Sequence, residues 1–101
     1  VKFGETHLKS KSGKEGKYEN STLEQCQFKC NDDDNCIGFV RKDIVDDNKD
    51  DCYIRVADDI GDCHTLRKGN PEQRMNANEY NTYLKSSYVE ENLLQCPHQG
   101  A

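Results

Sequence analysis

A chain of 101 residues with a formal net charge of −5, 33% hydrophobic and 33% charged, has room for one domain with a small core. It contains no run of the roughly 18 apolar residues that a membrane span needs, and its acidity argues against strong binding to nucleic acid or heparin. Six cysteines in so short a chain indicate a disulfide framework and an oxidising, extracellular setting.

In chain order, Val1 to Asn20 is polar and lysine-rich around Ser12-Gly13 and Gly16, which predicts a strand, a turn and a short return strand. A helix beginning near Leu23 follows, because Ser21 has Glu24 three residues on and Thr22 has Gln25, so either hydroxyl can cap it. Leu23, Cys26, Gln27 and Cys30 then share one face. Asn31 to Asn35 reads as a polar turn, and Cys36-Ile37-Gly38-Phe39-Val40 as a short buried strand. Asp46 to Asp51 reads as a hairpin loop. Further strands are expected at Cys52–Val56 and Tyr80–Leu84, joined by a long polar connection from Asp58 to Asn78. Phe28, Phe39 and Tyr53 are expected in the core, and Tyr80, Tyr83 and Tyr88 to be partly exposed.

Metal and catalytic chemistry find little footing. There is no Cys-x-x-Cys pair, and His7, His64 and His98 stand singly, so neither a zinc site nor any other cofactor is expected. Asp46, Asn48 and Asp50 imitate the start of an EF-hand loop, but the sixth position is Asp51 in place of Gly and the twelfth is Ala57 in place of Glu. Cys63-His64 are neighbours in sequence, which does not bring a nucleophile to its base in space. A thin core gives paired carboxylates little shelter to shift their pKa, so the chain is read as a non-enzyme.

Charge is divided along the chain. Residues 1 to 30 hold six Lys against four Glu, a net of +2, whereas residues 31 to 62 hold eleven Asp against four Lys and Arg, a net of −7. The Asp-rich loops would suit a basic partner and the Lys9 to Lys17 segment an anionic one, unless both are simply solvated surface. Asn20-Ser21-Thr22 fits the N-glycosylation sequon, and helix capping accounts for the same hydroxyls.

The ordered set Ser21-Thr22-Leu23-Glu24-Gln25-Cys26 through Cys30, Cys36-Ile37-Gly38-Phe39, Cys52-Tyr53-Ile54-Arg55 and Asn81-Thr82-Tyr83-Leu84-Lys85 resembles the PAN/apple domain superfamily over about residues 3 to 85. The resemblance implies an α+β, small disulfide-rich domain with an antiparallel sheet of about five strands cradling one short helix. Carried over, the family's two core bridges become Cys26-Cys52 and Cys30-Cys36. That leaves Cys63-Cys96 as the third, a departure from the apple pattern, in which a cysteine ahead of the helix pairs near the C-terminus. The expected organisation is a PAN/apple-like domain over 1-87 and a C-terminal tail over 88-101 tied back through Cys96. The chain would be a mature product or a module of a larger secreted or cell-surface protein.

The function implied is that of an extracellular, non-catalytic module for protein–protein recognition or adhesion, without membrane insertion. The alternatives are a carbohydrate-binding, lectin-like domain of the same fold, or a structural spacer in a multidomain surface protein. A protein partner would meet the sheet face or the loops at Arg41 to Asp51 and Asp58 to Asn78, with Arg41, Lys42, Asn48 and Lys49 as candidate contacts. A glycan would be met by Asn81, Tyr83 and Lys85, which join an aromatic face to amide and ammonium donors.

Overall fold

The computed structural model describes residues 1–11, 16–42, 49–60, 66, 74 and 76–93. Five strands, β1 (Lys2–Gly4), β2 (Lys17–Ser21), β3 (Gly38–Arg41), β4 (Asp50–Arg55) and β5 (Asn81–Leu84), form one sheet in the order β1-β5-β3-β4-β2. Every neighbouring pair is antiparallel. Among the described residues three α-helices accompany it: α1 (Leu23–Asn31), α2 (Ala57–Ile60) and α3 (Ser86–Asn92).

Helix α1 starts where the capping pattern places it, and Thr22 is the residue that caps. Its Oγ1 accepts from the Gln25 backbone N–H at 3.1 Å while Gln25 Oε1 accepts from the Thr22 N–H at 2.9 Å, so two orphan donors are satisfied reciprocally. Ser21 is buried instead, its hydroxyl donating to the Glu19 carbonyl and accepting from Lys29 Nζ. Nine residues are too few to hold a helix in water, and two disulfides staple it down: Cys26–Cys52 to β4 and Cys30–Cys36 to the chain entering β3. Residues 61–65 and 94–101, with Cys63 and Cys96, lie outside the described residues, as does any bridge between them.

The strand and the return strand expected in the first twenty residues do not pair with each other. Strand β1 pairs with β5 at one edge of the sheet and β2 pairs with β4 at the other. Between them Thr6–Leu8 crosses the face opposite α1, and each carbonyl there finds a donor. Thr82 Oγ1 donates to Thr6 O (3.1 Å), the Arg74 N–H to His7 O (3.2 Å), and the Arg55 guanidinium to Leu8 O. A buried crossing is possible only with such complete pairing.

Both faces of the sheet are therefore covered, which adds a layer to the expected cradle for one helix. Under α1 lie Cys26, Cys30, Cys36, Phe39, Cys52 and Tyr83. On the other face Phe3, Leu8, Ile37, Ile60, Leu66, Leu84, Val89 and Leu93 pack together, drawing on α2 and α3. Helix α3 spans position 87, the expected end of the domain, and its Val89 is part of this core. Central strand β3 is buried at all four positions, as two-sided coverage requires. Strand β4 begins two residues before the expected Cys52, so Asp50 and Asp51 belong to the sheet and not to the hairpin loop.

Phe28, expected in the core, is 75% exposed. The buried stripe of α1 is Cys26 and Cys30 with half-buried Leu23, and Phe28 lies two residues, about 200° of helix, from each cysteine. Tyr53 is only half-buried, whereas Tyr83, expected to be partly exposed, is buried beneath α1.

Candidate binding cleft

A cleft of about 170 Å³ opens between the C-terminal half of α1 and the end of β5. Its floor is the cross-strand pair Phe39 and Tyr83, whose rings stack with centroids 5.4 Å apart and planes at 25°. Gln27 and Asn31, one helical turn apart on α1, form one wall. Lys85 and Ser86, at the junction of β5 and α3, form the other. Val1 closes one end by extending the β1–β5 ladder, with Val1 N donating to Leu84 O at 2.7 Å and Leu84 N to Val1 O at 2.9 Å.

The frame around the cleft is stiff. Cys30 stands behind the wall and is tied to Cys36, while the Lys85 N–H donates to Ile37 O at 2.8 Å and Lys85 Nζ to Asp33 O at 2.9 Å. Gly38 lets β5 come close: a Cβ there would fall on the Tyr83 carbonyl oxygen and within 2.7 Å of Leu84 Cδ2. The side-chain amides of Gln27 and Asn31 and the Ser86 hydroxyl make no hydrogen bond to the described residues, so they are available to a ligand. Among the described residues no carboxylate lines the cleft, although the chain carries a net charge of −5. Aromatic rings below, amides and a hydroxyl at the rim, and the Lys85 ammonium suit a small, neutral or anionic, hydrogen-bonding group.

The candidate contacts read from sequence separate in space. Tyr83 and Lys85 meet in the cleft. Asn81, two residues earlier, is occupied in holding the chain after β1, its Oδ1 accepting from the Glu5 N–H at 3.1 Å where Glu5 has φ 54°. Arg41 is 1% exposed, its Nη1 donating to Ser21 O at 3.2 Å and lying 3.7 Å from the Cys52 sulfur. It anchors β2 and the start of α1 over the sheet, which removes it from the accessible contacts. Lys42 lies on the opposite face, where Nζ sits 3.5 Å from Glu79 Oε2 and 6.0 Å from the Tyr80 ring centroid. Beside it the buried His7 ring packs against Tyr80 at 4.0 Å. Lys49 is exposed, and Asn48 lies outside the described residues.

The acidic segments are largely engaged where they are described. Asp51 accepts from the Asn20 N–H and from Lys17 Nζ, and that hydrogen bond pushes the Lys17 pKa up. Asp59 accepts from the Val56 and Lys11 N–H groups and so caps α2. Among the described residues no three metal-ligating side chains gather, and no helix is long and apolar enough to cross a membrane. Burial, then the negative charge of Asp33, pushes the Tyr18 phenol up, and burial alone does the same to Tyr88.

Gln27, Asn31 and Ser86 were not among the candidates read from sequence. The first two had a signal, two amides at i and i+4 beside the cysteine stripe. Ser86 had none, because its position depends on where α3 begins. No family model, curated protein or solved structure matches the chain.

Proposed function

We propose that this chain is an extracellular, non-catalytic recognition module of the PAN/apple kind, which takes a group of its partner into the cleft between α1 and β5. The observation that carries the reading is the unengaged rim of the cleft, with Gln27 and Asn31 fixed on a helix that two disulfides staple to the sheet and Ser86 facing them from the start of α3. The disulfides suit an oxidising environment. A rigid frame lowers the ordering cost of binding, so even a small cleft can contribute to affinity.

A glycan is the second reading, favoured by the amides, hydroxyl and ammonium around the cleft, which can hold a sugar's hydroxyls above the buried Phe39–Tyr83 pair. Binding of the labelled, oxidised domain to cell surfaces separates the two. Signal lost after protease treatment but resistant to free monosaccharides supports a protein partner. Signal abolished by a free monosaccharide supports a glycan, and no saturable binding to any surface leaves the role of a spacer.

A further inference from the structure

We infer that Asn20 is the acceptor of an N-linked glycan. Asn20-Ser21-Thr22 is the one Asn-x-Ser/Thr sequence in the chain, and capping of α1 by Thr22 does not account for the asparagine. Asn20 is exposed on β2, an outer strand of the sheet, and its side chain makes no hydrogen bond to the described residues. Its backbone has φ 49°, in the left-handed region that asparagine tolerates better than most residues, where the β2–β4 register shifts between Tyr18 and Ser21. Ser21 is turned inward at 1% exposure, so the irregularity buries the middle residue of the sequon and leaves the acceptor outside.

The two hydroxyl roles of Thr22 do not compete, because transfer acts on the nascent chain before the cap forms. Asn20 Nδ2 attacks the anomeric carbon of a lipid-pyrophosphate-linked oligosaccharide. The carbon–oxygen bond to pyrophosphate breaks, the carbon–nitrogen bond forms, the lipid pyrophosphate leaves and Nδ2 gives up one proton. Disulfide formation occurs in the compartment that supplies this donor, so the inference rests on the oxidising environment and not on the cleft. Asn20 precedes α1 whereas Gln27 and Asn31 lie in its C-terminal half, and a glycan at one end of the helix leaves the cleft at the other end open.

The test is expression of the full chain behind a secretion leader in animal cells, with peptide mapping after N-glycosidase treatment. The expected result is one glycosidase-sensitive species in which Asn20 is converted to aspartate, retained in Thr22→Ser and lost in Asn20→Gln. Unmodified Asn20 in the wild-type chain, secreted or retained in the cell, would overturn the inference. So would a glycan that persists in Asn20→Gln. Neither result bears on ligand binding, so failure here is distinct from failure of the recognition reading.

Discussion

The Arg55 guanidinium grips the Leu8 carbonyl oxygen with two nitrogens, Nη2 at 2.6 Å and Nε at 3.0 Å, across 47 residues of sequence. Both residues are buried, at 0% and 1% exposure, so the contact ties the N-terminal crossing to β4 where water cannot replace it. Arg55→Ala should therefore lower stability by about 2–3 kcal/mol, the cost of losing charge-assisted hydrogen bonds to a buried carbonyl. Arg55→Lys should recover only part, because an ammonium lacks the fork. Urea unfolding of the three proteins checks the order.

The two disulfides should differ in worth because they close loops of different length. In the chain-entropy account Cys26–Cys52, with a separation of 26, contributes about 3.5 kcal/mol. Cys30–Cys36, with a separation of 6, contributes about 2 kcal/mol. Paired Cys→Ser variants unfolded in urea under oxidising conditions should show the first to be the more costly removal.

Gly38→Ala should destabilise by about 1–3 kcal/mol, because the added methyl meets the backbone of β5, which cannot yield without opening the ladder. Gly16→Ala is the control, since its methyl would meet only Ile54 Cδ1 at 3.5 Å, ordinary contact. Equal thermal stability of the two variants would show that β5 does not lie as close to Gly38 as described.

Alkaline pH should weaken the fold through its tyrosines. Burial favours the neutral phenols of Tyr18 and Tyr88 in the folded state, raising both above the ordinary value of 10.0. Their contribution is fully present below that value and is lost as pH rises through the folded values. Stability measured at about pH 9 and about pH 11 should fall, and Tyr18→Phe should reduce the fall. At neutral pH the same variant should be unchanged or more stable by about 1 kcal/mol, because Tyr18 Oη is buried without a hydrogen-bond partner among the described residues.

The parts of this molecule legible in sequence were those with local signatures. Thr22 and Gln25 announced the helix, the Cys-Ile-Gly-Phe and Cys-Tyr-Ile-Arg runs announced two central strands, and the family resemblance supplied both bridges seen here. Relationships set by distant pairing were not legible. Alternation could not say that β1 and β2 lie at opposite edges, nor that two-sided coverage would bury Thr82, Tyr83 and Leu84 in succession. Arg41 was read as an accessible contact because charge normally seeks water, yet it is buried where it satisfies a backbone carbonyl, as is Arg55. The cleft was half legible: Tyr83 and Lys85 were read from the strand, but the wall opposite them comes from a helix more than fifty residues away.

The most direct test of recognition through the cleft is a titration of the oxidised domain against the cell surface that binds it, comparing wild type with Gln27→Ala/Asn31→Ala. Both residues are exposed and carry no hydrogen bond to the described residues, so the variant should keep its fold and its unfolding midpoint. The account predicts at least about a tenfold loss of affinity, the effect of removing about 1.4 kcal/mol of hydrogen bonding. Unchanged affinity in a folded variant would contradict it and place the contact elsewhere on the molecule.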